Sequence, residues 1–159
     1  MATVRVQTEP FDTGQEIALL TAGGADIGGI GCFVGVVRGS AGPDSVAAMT
    51  LEHYPAMTEK ALHRIADEAE TRWALLGCTV IHRFGRLLPG DPIVLVLAAS
   101  AHREPALAAT AFLIDWLKTR APFWKQEQHQ DGSASWVEAR AEDDEAAARW
   151  ETGPTRNHK

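Results

Sequence analysis

Val4 and Val6 alternate with polar neighbours, which predicts a short strand over residues 3–8. Residues 15–21 fit a short helix that stops at Gly23-Gly24. An apolar, glycine-rich run over 27–38 reads as a strand, since glycine inside a strand often marks the close approach of another backbone. Residues 46–54 form the next strand, and the loop at Gly42-Pro43-Asp44 predicts a hairpin between these two. Pro55 then opens the strongest helix. Met57, Ala61, Leu62, Ile65, Ala69 and Trp73 recur at helical spacing to about residue 75, and Gly77 stops the pattern. Residues 78–84 and 93–100 are apolar strands around a turn at 87–91. A second helix, from Pro105 to Pro122, is expected to turn Leu107, Ala111, Ile114 and Leu117 inward. Residues 123–128 and 135–139 form a hairpin around Asp131-Gly132, and 142–150 an acidic helix. Strands joined by short turns, without a regular strand–helix repeat, predict an α+β single domain with mostly antiparallel strands. It spans residues 1–150 and leaves 151–159 as a flexible tail.

The 159 residues are 45% hydrophobic and 23% charged, an ordinary globular composition. The 15 basic and 21 acidic residues give a net charge of −6, which argues against a general nucleic-acid surface. No apolar run approaches the roughly 18 residues that suggest a membrane span, and the N-terminus lacks a signal-like apolar core, so a cytoplasmic location is expected. Cys32 and Cys78 lie in apolar surroundings and read as two buried thiols. The histidines and cysteines lack metal-ligand spacing, and the glycines fit neither a P-loop nor a dinucleotide fingerprint, so no metal or cofactor is expected.

What draws attention is a set of cations at the ends of apolar elements. Arg38 follows the glycine-rich strand, His102-Arg103 precedes the second helix, Lys118 closes it, and Lys125 follows Pro122-Phe123-Trp124. Taken singly, each has a structural reading. A strand-end arginine is usually solvated, His102-Arg103 can bond around its loop, and Lys118 suits the helix dipole. Lys125 can pair with Glu127 or Glu138. Taken together, they describe an anion pocket, in which a lysine among other cations has a lowered pKa suited to proton transfer or charge stabilisation.

At these residues the chain resembles the large, catalytic subunits of molybdopterin synthase, the MoaE family. The likeness is carried by Phe33-Val34-Gly35-Val36-Val37-Arg38, Leu51-Glu52-His53-Tyr54-Pro55-Ala56-Met57-Thr58-Glu59-Lys60 and Val80-Ile81-His82-Arg83-Phe84-Gly85. It continues in Pro89-Gly90-Asp91, Ser100-Ala101-His102-Arg103, Leu117-Lys118-Thr119-Arg120-Ala121-Pro122-Phe123-Trp124-Lys125 and Trp136-Val137-Glu138-Ala139. It runs in order from about residue 3 to 150.

The resemblance implies an α/β-hammerhead-type fold and a homodimer. Each copy would bind a small ubiquitin-like subunit with a C-terminal Gly-Gly thiocarboxylate, giving a heterotetramer. The activity it implies is transfer of two sulfurs to cyclic pyranopterin monophosphate, which makes the dithiolene of molybdopterin. It also implies Lys118 as the leading catalytic residue, with Lys125 beside it. Arg38, His102 and Arg103 become substrate-binding residues, and Gln126 and Glu127 line the site with Lys125. Relatives often carry a lysine at the position of Val36 and a basic residue at that of Gln126. Gly28, Gly29, Gly31 and Gly35 are expected to let the Gly-Gly tail pass near the backbone. The acidic run at 142–145 reads either as a solvated helix face or as a segment that folds over the cationic pocket. A tail-binding adaptor and an unrelated enzyme acting on a small anion are the competing functions.

Overall fold

The computed structural model describes residues 2–39, 45–137 and 141–151. One four-stranded sheet contains β1 (Thr3–Gln7), β2 (Gly29–Val36), β4 (Gly77–Arg83) and β6 (Pro92–Ser100), in the order β1-β4-β6-β2. A second contains β3 (Val46–His53), β5 (Gly85–Leu87), β7 (Phe123–His129) and β8 (Ala134–Trp136), in the order β5-β3-β7-β8. All strand pairs are antiparallel except β1 with β4. The helices are α1 (Thr13–Thr21), α2 (Pro55–Trp73), α3 (Arg103–Thr119) and α4 (Ala141–Ala148). Among the described residues, no helix is long and apolar enough to cross a membrane.

β4 and β6 are apolar on both faces because both faces are covered. Val80, Val94 and Val96 join the main core with Leu62, Ile65, Phe112 and Leu113 of α2 and α3. Ile81, Leu95 and Leu97 point the other way, against Ile17 and Leu20 of α1.

Three expectations are corrected by these elements. β2 and β3 do not form a hairpin: β2 pairs with β6 and β3 with β7, so the chain changes sheets between them. Residues 40–44, where that hairpin was expected to turn, lie outside the described residues, as do residues 152–159 of the expected tail. Leu107 is 62% exposed, and the inward face of α3 carries Ala106, Ala109, Thr110, Phe112, Leu113 and Leu117 instead. Small residues allow close packing on β2, where the more obvious leucine would not fit. Cys32 is exposed while Cys78 is buried. Cys32 shares a face with its neighbour Leu97, the α1 side of the sheet, but α1 packs on β4 and β6 and leaves the edge strand bare.

The glycines of β2 serve the chain's own packing rather than an open channel. A Cβ on Gly31 would sit 2.5 Å from the Ala106 carbonyl oxygen and 2.3 Å from Thr110 Oγ1, and one on Gly35 2.5 Å from Val94 Cγ1. α3 thus rests directly on the β2 backbone. Gly31→Ala is expected to destabilise the fold by about 1–3 kcal/mol or more, because the obstacle includes helix backbone. Chemical denaturation measures this; an unchanged midpoint would mean α3 can move aside.

Candidate active site

β6 leads into α3, which returns antiparallel to it over the face shared with β2. The start of α3 therefore lies near Gly29 (Arg103 Cα is 3.7 Å from a Cβ built there), and its end lies near the start of β6. His102 is the N-cap residue, with no side-chain capping bond, and both it and Arg103 are exposed. Lys118 occupies the last turn. Fifteen residues of helix separate Arg103 from Lys118, about 22 Å at 1.5 Å per residue.

The lysine end is the denser cluster. His82 pairs with Val94 near the start of β6, and β2 ends there too, its Val36 opposite Pro92. Exposed Arg38 follows two residues later, just past Val37, whose amide donates to the Asp91 carbonyl. From the second sheet, β7 contributes half-buried Lys125, paired with Leu51 on β3. Strand alternation puts Phe123, Lys125 and Glu127 on one face with Leu51, while Gln126 points to the other. Gln126 thus lies beside Lys125 in sequence but faces away from it.

Burial, and then the like charge of Lys118, lowers the Lys125 ammonium from 10.5 to about 8; Asp143 of α4 and Glu127 oppose this. Among the described residues no carboxylate forms an ion pair with Lys125. Of the two pairings open from sequence, Glu127 acts only through its field, and Glu138 lies outside the described residues. The influence of Asp143 brings the acidic helix to the cationic end of the molecule, so the run at 142–145 is more than a distant solvated face.

Two histidines complete this end, and neither belongs to the cation set read from the sequence. His82 is 5% exposed, and its Nδ1 bonds the Arg83 carbonyl at 2.8 Å. Its ring stacks on Phe123 with centroids 3.9 Å apart and planes 17° from parallel. Burial above all, and then the charges of Lys125, Lys118 and His53, lower its pKa to about 3, against the raising effect of the Arg83 hydrogen bond. His53 contacts the rings of Phe84 and Phe123 and bonds Thr58 Oγ1 at 3.1 Å. The available signal was a histidine at the end of an otherwise apolar strand, within a block already recognised as distinctive.

A cavity of about 500 Å³ lies elsewhere, between α2, α3 and α4, with Arg64, Arg72, Trp116, Arg120 and Trp150 among its walls. Arg120 pairs with Glu151, and Arg72 donates to the Trp150 carbonyl, so two of its three arginines are engaged with the turn that follows α4. Among the described residues, no group of three or more His, Cys, Asp or Glu side chains is placed to hold a metal ion. The lysine end itself offers cations in a partly dry setting, suited to attraction of anions, stabilisation of developing negative charge, and proton transfer near neutral pH.

Known proteins similar to this chain share one family. The family model described as MoaE protein matches residues 6–120. A molybdopterin synthase catalytic subunit from Mesorhizobium japonicum is 53% identical over 151 residues, covering 94% of both chains. The structure of the molybdopterin biosynthesis MoaE protein from Burkholderia ambifaria superposes with a TM-score of 0.80 at 53% identity, covering 96% of this chain and 99% of that one. A molybdopterin synthase structure from Staphylococcus aureus superposes with a TM-score of 0.76 at 29% identity, covering 84% and 95%.

Proposed function

The chain belongs to the MoaE protein family, and from that premise we propose that it is the catalytic subunit of a molybdopterin synthase, with residues 1–150 as its working domain. In this reading it receives sulfur from the C-terminal thiocarboxylate of a small ubiquitin-like subunit and places two sulfurs on cyclic pyranopterin monophosphate. The observation that carries the reading is the Lys118–Lys125 pair, one exposed at a helix end and one half-buried with its pKa lowered to about 8. Both reactants are anions, so bringing them together requires positive charge that is not already neutralised by the protein. Lys125 meets that requirement because no ion pair holds it among the described residues. Lys118 reaches the reacting thiocarboxylate from the helix end and stabilises the charge that develops as the sulfur is transferred. Arg38, at the same end, supplies a planar guanidinium for the cyclic phosphate.

His102 and Arg103 stand about 22 Å away along α3, too far for their side chains to meet those of the lysines within one chain. A two-fold dimer resolves this if the start of α3 from one copy meets the lysine end of the other. The functional unit is then a homodimer with two composite sites, each taking one small subunit, a heterotetramer in all.

The direct test mixes the protein with thiocarboxylated small subunit and the pyranopterin substrate and measures dithiolene product. Lys118→Ala is expected to lower the rate by about 10²-fold or more. Tail binding without product would leave only an adaptor, and turnover without the small subunit would indicate a different enzyme.

A further inference from the structure

We propose that His82 is a positioning residue for Lys125: its ring, stacked on Phe123, forms a neutral wall that seats the start of β7 and keeps water from the buried side of the lysine. This rests on the reading of Lys125 as part of the site, but not on the identity of the substrate.

Three observations carry it. First, the imidazole is fixed. The Arg83 carbonyl accepts from Nδ1 at 2.8 Å, so the proton sits on Nδ1 and the ring cannot turn over without losing that bond. Second, the ring is coupled to the lysine through the backbone. Phe123, on which it stacks, lies two residues before Lys125 on the same face of β7. His53, directly opposite Phe123 on β3, places its ring 5.7 Å from the same phenyl ring, centroid to centroid. Third, the wall stays neutral. Burial and the charges of Lys125, Lys118 and His53 hold His82 unprotonated down to about pH 3. A wall that became charged near neutrality would repel the lysine it supports.

Among the described residues, the titratable groups that act electrostatically with Lys125 are Lys118 from α3, His82 from β4, Glu127 on its own strand and Asp143 from α4. The two carboxylates raise its pKa and Lys118 lowers it, but burial is the largest cause of its lowering. The wall acts on that largest cause.

The test is a titration of the Lys125 side chain by NMR in the isolated subunit, which needs neither small subunit nor substrate. His82→Gln removes the ring and admits water, and the midpoint is expected to rise from about 8 by about one pH unit. Phe123→Leu removes the stack from the other side, leaves the His82 hydrogen bond intact, and is expected to give the same rise. His82→Phe keeps a ring on Phe123 and is expected to preserve the low midpoint. An unmoved midpoint in Phe123→Leu would overturn the proposal, even if His82→Gln failed to fold. So would an equal rise in His82→Phe and His82→Gln, since the ring would then not be the agent. Failure of the sulfur-transfer assay would leave this titration unaffected, so the two readings fail separately.

Discussion

Co-expressing Lys118→Ala with Arg103→Ala is expected to restore about a quarter of wild-type sulfur transfer, although each variant alone is nearly inactive. The expectation follows from the length of α3. Its two ends carry the two halves of the cation set, about 22 Å apart, and no side chain spans that distance. If two copies exchange these ends, each site takes Lys118 from one copy and Arg103 from the other. A mixed dimer then holds one site with both substitutions and one with neither. Random pairing makes about half the dimers mixed, and each has half its sites intact, which gives the quarter. Product would be measured on the purified co-expressed dimers. Recovery at the level of the single variants would show that the two ends of α3 do not share a site. His102→Ala should complement Lys118→Ala in the same way, and Arg38→Ala should not, because Arg38 lies at the lysine end of its own chain.

The strands and helices were legible where burial imposed a period. Val80, Ile81, Leu95 and Val96 form runs that a sheet covered on both faces requires, and α2 shows its buried stripe plainly. Legibility failed where packing depended on shape rather than polarity. α3 buries Ala106 and Ala109 and leaves Leu107 outside, because a helix lying on Gly31 has room only for small side chains. The change of sheet between β2 and β3 left no local mark, since a hairpin and a crossover begin with the same turn residues. Of the site, the segments carrying Lys118 and Lys125 were recognisable from Leu117 to Lys125, but their spatial sorting was not. The separation of His102 and Arg103 from the lysines depends on the path of α3, and the turning away of Gln126 on strand parity. His82 was visible as a letter in a distinctive block. Its role becomes readable only when the register of β4 with β6 and its stack on Phe123 bring it to the lysines.

Replacing Lys125 by methionine is expected to do two opposite things: abolish most sulfur transfer and make the subunit more stable. With a pKa of about 8 when folded and near 10.5 when unfolded, the lysine binds its proton more tightly in the unfolded chain. Below about pH 8 the proton therefore opposes folding, and the opposition fades as pH rises from about 8 to 10.5. At pH 7 the cost is about 1–3 kcal/mol, and methionine, of similar length and without charge, removes it. Denaturation at pH 7 should show the gain, and denaturation near pH 10 should show little of it. Equal stability of variant and wild type at pH 7 would mean the ammonium is already well solvated, and the dry-site account would fail. Sulfur transfer should move the other way, falling about 10²-fold with the charge gone. In the wild type, transfer is expected to decline as pH rises through about 8 or somewhat above, since bound anions favour the charged amine. Lys125→Arg, which stays charged throughout, should lose that decline while retaining part of the rate. A rate that instead climbed with pH over the same range would assign Lys125 the role of a base, acting through the neutral amine that its dry setting favours.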